Sequence, residues 1–303
     1  MRILLLTDIH ANLEGLEACL EAVRNPDLVV NLGDIVGYGG SPNEVSERSR
    51  EIGSIFVRGN HDKACTGVSG IEEFNPIAGM AALWTRQQLT PENLEWLRAL
   101  PQGPVQLESI WPADGGPLPV PEARDCTKAV AEGGSEADAK EVSEAAIQVA
   151  DPNTASQAGF NQLKVQCVHG SPLDEDEYII VMRDAYEPLM HTDAAITFFG
   201  HTHIQGGFCN HGQDWETLRP VYHSKKQTEW CELWVAPGTK YLINPGSVGQ
   251  PRDGDWRAAC ALFDTKANSV TFYRVPYDVE GAQRRILEAK LPERLANRLS
   301  EGR

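Results

Sequence analysis

The sequence has no apolar run long enough to cross a membrane. Its opening, MRILLLTDIHANL, holds one Arg and only the short run Ile3 to Leu6 before Thr7 and Asp8. That is too short for a span or for the apolar core of a signal peptide, and it predicts a first strand. Paired cysteines are missing too. The seven cysteines, at 19, 65, 126, 167, 209, 231 and 260, contain no CxxC, and their odd number and scatter exclude a disulfide framework or a thiolate zinc site. The expectation is a cytoplasmic protein with no membrane association. Basic charge is scarce, with Lys+Arg 27 against Asp+Glu 43 and a formal net charge of −16. Such a surface repels nucleic-acid phosphates, so no long nucleic acid is expected as a partner. Phosphate chemistry would need local cations, which metal ions could supply.

What is present is a globular chain of 303 residues, 41% hydrophobic, without an internal repeat. Its pattern predicts one domain over 1–303 with insertions at about 111–162 and 206–240. Short apolar strands alternate with capped helices over the first 60 residues, as in a sheet covered by helices. Strands are expected at 3–6, 28–32 and 55–57, and helices from about Leu13 and from the capping box Ser41-Pro42-Asn43-Glu44. Asn75-Pro76 and Thr90-Pro91 open two more helices. From Trp111 to Gln162 the composition turns to Pro, Gly, Ala, Ser and acidic residues, with one helix expected near 137–149. Strands follow at 163–168, 195–199, 241–243, 259–263 and 270–274, and two helices close the chain, the second opened by Pro292.

The strand ends carry the chemistry. LLLTDIH, VVNLGD, FVRGNHD, VQCVHG and FFGHTH each finish an apolar run with a carboxylate, an amide or an imidazole. In open α/β sheets the reactive crevice lies beyond the carboxyl ends of the strands, where these residues fall. His201 and His203 stand two apart, so in extended chain they would aim at one object past the strand end. Asp8, His10, Asp34, Asn60, His169, His201 and His203 exceed what one zinc with an open position needs and suffice for two metals sharing a carboxylate. Two ions about 3.5–4 Å apart clamp the attacking and leaving oxygens of a phosphoryl displacement. The nitrogen and oxygen donors suit two divalent transition-metal ions such as Mn, Fe, Zn, Ni or Co.

With Asp8-x-His10, Gly33-Asp34, GNHD at 59–62, His169-Gly170 and GHTH at 200–203 in this order, the chain resembles the calcineurin-like metallophosphoesterase superfamily. NPGSVGQPRDGD at 244–255 is similar to its small bacterial phosphodiesterase branch. The resemblance implies an α/β fold, a four-layer α-β-β-α sandwich with a dinuclear metal site at the carboxyl ends of the strands. It implies that Asp34 bridges the metals, that Asp8, His10 and His203 hold one ion, and that Asn60, His169 and His201 hold the other. His61 would then be the general acid that protonates the leaving oxygen, with Asp62 orienting its ring and raising its pKa. Thr202 reads as a spacer, and His191, His211 and His223 as surface residues.

Protein Ser/Thr phosphatases of the superfamily follow GD with an Asp-Arg pair whose Arg binds phosphate. Here GDIVGYGG puts Gly37 and Tyr38 in its place, which counts against a protein phosphatase and leaves Arg252 or Arg58 to supply the cation. Strand parity through 206–240 places the turn SKKQT, with Lys225 and Lys226, beside the active edge as further substrate contacts. The expected activity is metal-dependent hydrolysis of small-molecule phosphodiesters or phosphomonoesters through a metal-bridging hydroxide, on a small phosphorylated substrate. A dinucleoside polyphosphate or nucleotide pyrophosphohydrolase is the alternative within enzymes. A non-catalytic metal-binding scaffold is the alternative outside them.

Overall fold

The structure is a computed structural model and describes residues 1–107 and 163–303. The expected insertion at 111–162, with its helix near 137–149, lies outside the described residues. In chain order the first half holds β1 (Arg2–Leu6), α1 (Leu13–Ala22), β2 (Leu28–Asn31), α2 (Pro42–Ile52), β3 (Ile55–Phe56), α3 (Asn60–Thr66), α4 (Pro76–Gln88), α5 (Pro91–Arg98) and β4 (Val105–Gln106). The rest holds β5 (Val165–Cys167), α6 (Met182–His191), β6 (Ile196–Phe198), β7 (Gly206–His211), β8 (Asp214–Leu218), β9 (Glu229–Trp234), β10 (Lys240–Asn244), β11 (Ala258–Asp264), β12 (Ser269–Val275), α7 (Val279–Glu288) and α8 (Glu293–Glu301). No helix among the described residues is long and apolar enough to cross a membrane.

The strands form two six-stranded sheets, ordered β3-β2-β1-β11-β12-β9 and β4-β5-β6-β10-β7-β8. Strand alternation sorts their side chains into layers. Ile3 and Leu5 of β1 meet Phe198 and Ile243 of the second sheet in a core between the sheets. Leu4 and Leu6 point the other way, onto Leu16 and Cys19 of α1 and the helical residues Val45, Ile286 and Leu299. Beyond the second sheet, Phe199, Phe208 and Leu242 pack under Ala185 and Leu189 of α6. The result is an α-β-β-α sandwich in which β1 is apolar on both faces.

Local chemistry starts the helices where the sequence placed them. Asn12 accepts from Gly15 N, Asn75 from Ile77 N and Ala78 N, and Thr90 from Asn93 N, with Pro76 and Pro91 at the first helical position. The capping box expected at Ser41 is corrected. Helix α2 does begin at Pro42, but the Ser41 side chain makes no cap bond and its hydroxyl is buried without a partner.

The segment 206–240 supplies edge strands to both sheets. β7 and β8 extend the second sheet beyond β10, and β9 crosses to pair with β12 of the first. It is pinned by Arg257, a fully buried side chain that donates to Asp255, to Glu229 and to the Gln227 carbonyl. Flanking the undescribed residues, Leu107 N donates to Val165 O at 2.8 Å. Because β5 runs from Val165 toward His169, those flanks meet at the end of the sheet opposite His169.

The two sheets touch through Phe198 and Phe263, both fully buried, with ring centroids 5.4 Å apart. Phe263→Ala is expected to destabilise the fold by about 3–5 kcal/mol, because a buried aromatic is replaced by a cavity that neighbours only partly fill. Urea unfolding of the two proteins measures it.

Candidate metal centre

The carboxyl ends of β1, β2, β5 and β6 lie side by side, and the chain leaves them in left-handed turns. Asp8, His10, Asp34, His201 and His203 have φ of 51°, 48°, 55°, 66° and 60°. Few non-glycine residues adopt this region, and it persists where the surroundings over-determine it. It also corrects the expected geometry of the histidine pair. β6 ends at Phe198, so His201 and His203 converge through turns and not through extended alternation. Thr202 is no spacer: its hydroxyl accepts from Asn244 Nδ2 at 3.0 Å, and the same amide donates to Gly200 O at 2.8 Å.

Two buried groups of ligand atoms result, Asp8, His10, Asp34 and His203 in one and Asp34, His169 and His201 in the other. Asp34 is common to both, and Asn60 joins the second through its Oδ1, 3.2 Å from His169 Nε2. Asp34 Oδ2 lies 3.6 Å from His10 Nε2 and 3.5 Å from His169 Nε2. Each imidazole faces a backbone carbonyl with its other nitrogen: His10 Nδ1 with Val36 O, His169 Nδ1 with Leu32 O, His203 Nδ1 with Gln250 O, and His201 Nε2 with Asp176 O. A carbonyl can only accept, so those nitrogens carry the protons and the inward nitrogens present lone pairs. His10 Nε2 and His203 Nε2 then face each other at 3.1 Å, two acceptors that need a cation between them.

The electrostatics agree for three of the four rings. Burial holds His10 and His203 well below the usual imidazole range and His201 at about 3, so these rings stay neutral. Burial lifts Asp8 to about 7, and its buried Oδ1 has no hydrogen-bond partner. At His169 burial opposes protonation, but the Asp34 carboxylate overcomes it and raises the ring to about 9. The cluster draws positive charge, and its donor set fits divalent metals.

The surrounding chain fixes these groups. Ser247 Oγ and Gly249 N both donate to Asp8 O, while Val248 N donates to Thr7 O. A side chain at 249 would lie 1.8 Å from Ile9 O, and one at 59 would lie 2.0 Å from Asp34 Oδ1, so both positions require glycine. Asp62 does not orient His61. Its oxygens accept from the backbone N–H groups of Asp34, Ile35, Val36 and Gly59, which ties down the loop that presents Asp34. The His61 ring lies against Tyr38 and Phe74, with centroids 4.3 and 4.6 Å away, and its Nδ1 is buried without a partner. Burial lowers its pKa to about 4, contrary to the expected rise.

Arg252 stands beside the first group, its N donating to His203 O and its guanidinium 5.8 Å from the Tyr38 ring. Arg58 is engaged elsewhere, with Glu175. Successive antiparallel pairings of β1, β11, β12 and β9 set the turn before β9 at the end of the first sheet that carries Asp8 and Asp34. There Lys225 Nζ donates to Gly254 O, and the Lys226 backbone N donates to Ser224 Oγ of the same turn. His191 pairs with Glu187 and His211 with Thr239, outside both groups. Tyr178, half exposed with its ring 3.8 Å from that of His201, was not foreseen. It lies in a loop without motif or periodicity, and no sequence signal marks it.

A family model described as a calcineurin-like phosphoesterase superfamily domain matches residues 1–268. The chain is 30% identical over 303 residues to an uncharacterized protein of Methanocaldococcus jannaschii, across 99% of this chain and 98% of that one. Among solved structures it is similar to a metallophosphoesterase from Sphaerobacter thermophilus, at 34% identity and TM-score 0.68, covering 100% of this chain and 99% of that one. A hypothetical protein from Pyrococcus horikoshii OT3 shares the fold at 18% identity and TM-score 0.63, covering 100% and 98%.

Asn244→Ala removes the bonds from its amide to Gly200 O and Thr202 Oγ1 and the one that its Oδ1 accepts from Gly246 N. It is expected to lower stability by about 1–3 kcal/mol, since the buried Gly246 N–H loses its acceptor while Gly200 O and Thr202 Oγ1 keep only their backbone donors, Thr202 N and Ile204 N. It should also weaken metal binding through His201 and His203. Denaturant unfolding and metal analysis of the variant test both effects.

Proposed function

The chain belongs to the calcineurin-like phosphoesterase superfamily, a family of metal-dependent phosphoesterases, and from that premise we propose that it hydrolyses small-molecule phosphodiesters or phosphomonoesters. The observation that carries the reading is the pair of buried ligand groups sharing Asp34. Asp8, His10 and His203 would hold one divalent ion and Asn60, His169 and His201 the other, with Asp34 between them. Ions bound there supply Lewis acidity, lowering the pKa of water and neutralising phosphoryl oxygens.

The chain's own groups do the rest. Carbonyls at Leu32, Val36, Asp176 and Gln250 keep the four imidazoles aimed inward, so little reorganisation is needed when substrate arrives. His61 belongs to neither ligand group yet stands 4.9 Å from the His10 ring, and as proton donor to the leaving oxygen it would need the negative charge of the bound phosphoester to raise its pKa from about 4. Arg252 supplies a fixed cation for the anionic substrate in a chain of net charge −16.

Turnover of p-nitrophenyl phosphate and of its bis ester across Mn, Fe, Zn, Ni and Co is the direct test. Activity on neither ester with any metal overturns the enzymatic reading and favours a scaffold. Asp34→Asn is expected to lose most bound metal while the fold survives, and two ions still bound per chain would remove the bridging assignment. His61→Ala should keep both ions and lower kcat by roughly 10²–10⁴. An unchanged rate on an ester with a poor leaving group would take His61 out of the mechanism.

A further inference from the structure

Helix α8 begins 25 residues past the last residue matched by the family model, yet it reaches the metal centre. Its Arg298 places a guanidinium 5.8 Å from the centroid of the Tyr38 ring, the same distance as Arg252. Tyr38 in turn touches the His10 and His61 rings, with centroids 4.8 and 4.3 Å away. Two cations from different parts of the chain therefore lie against one aromatic ring at the edge of the ligand cluster, close enough that the charge of Arg252 acts on Arg298.

These cations are poorly neutralised. No Asp or Glu side chain pairs with Arg252 or Arg298 among the described residues: Arg252 donates to Gln250 Oε1, and Arg298 Nε to the backbone oxygen of Arg303. Arg252 Nε is buried with no partner at all. Burial, then the charge of Arg252, then that of Arg294 one turn earlier on α8, lower Arg298 to about 10. Among the described residues the two fully buried arginines pair with carboxylates, Arg257 with Asp255 and Arg274 with Asp253. Gathering like charges with no Asp or Glu side chain beside them is unfavourable unless an anion balances them.

We propose that Arg298 and Arg252 form an anion clamp across Tyr38, so that the preferred substrate is a phosphoester carrying a second anionic group, a phosphate or a carboxylate, beyond the scissile phosphoryl. The clamp rests on the phosphoesterase reading for its place in the reaction. Arg252, whose charge reaches Asp8, His10, His61 and His203, lies on the side of the scissile group. Arg298 lies on the side of α8 and meets the second anion. The guanidinium fork suits either phosphate or carboxylate through paired N–H donors, and the Tyr38 face holds both forks in place.

The test uses metal-loaded protein and two ligands that differ by one phosphate, thymidine 5′-phosphate and thymidine 3′,5′-bisphosphate. Calorimetry is expected to show tighter binding of the bisphosphate, and Arg298→Ala to weaken it about tenfold while the preference over the monophosphate collapses. Arg298→Lys, which keeps the charge without the fork, should recover part of the preference, and Arg298→Gln, similar in length, should recover none. Equal affinity of wild type for the two ligands, or a preference that survives Arg298→Ala in a folded protein, overturns the clamp. Turnover of the p-nitrophenyl esters of the same two nucleotides adds an independent readout, with the effect of Arg298→Ala expected mainly in KM. If wild type cleaves neither ester but keeps an Arg298-dependent preference in calorimetry, the phosphoesterase reading fails and the clamp stands.

Discussion

Asp8 and Asp34 are carboxylates with almost no exposure to water, set among four imidazoles of which burial holds three neutral. Burying such groups costs several kcal/mol per ion unless positive charge accompanies them. The side chains themselves carry this demand, since His169 is drawn toward protonation by Asp34 and Asp8 is pushed toward neutrality by burial. A centre of this kind cannot be held by one element. It needs rigid neighbours on all sides that satisfy every outward-facing polar atom, and much of the rest of the architecture serves that need.

The sandwich meets it by bringing strand ends from both sheets to one edge. β1 and β2 deliver Asp8, His10 and Asp34 from the first sheet, and β5 and β6 deliver His169, His201 and His203 from the second. The segment from Asn244 to Gln250 laces the two together. Asn244 grips the turn after β6, Ser247 and Gly249 grip the turn after β1, and the Gln250 carbonyl orients His203. Gln205 adds a second tie, donating to the carbonyls of Pro245, Cys260 and Tyr273. The left-handed turns at five ligands are conformations that these ties can enforce and that an isolated loop would abandon.

Charge is distributed to match. The chain is acidic overall, which favours solubility and repels polyanions, while Arg252, Arg294 and Arg298 concentrate positive charge at one corner of the centre. Elsewhere buried arginines are neutralised at once. Arg257 and Arg274 both lie over the Tyr222 ring and pair with Asp255 and Asp253, which locks the segment 206–240 onto the first sheet.

Much of this was legible from residue order. Apolar runs of β-branched and aromatic residues ending in Asp, Asn or His marked the strands and the candidate ligands, because strand alternation and metal chemistry both restrict residue type. Pro76 and Pro91 marked helix starts because proline fits the first turn and fails later ones. The roles of Asp62, Thr202 and Ser41 were not legible. Each depends on which backbone N–H, amide or carbonyl arrives from elsewhere, and a local pattern carries no information about that. Arg298 and Tyr178 escaped for the same reason, as neither stands in a motif and both reach the centre only through packing. Residue order alone marks which residues could bind metal and where strands would end. Folding settles which nitrogen faces inward, which carboxylate is common to both groups and which guanidiniums lie beside no Asp or Glu side chain among the described residues, because these follow from contacts between segments far apart in the chain.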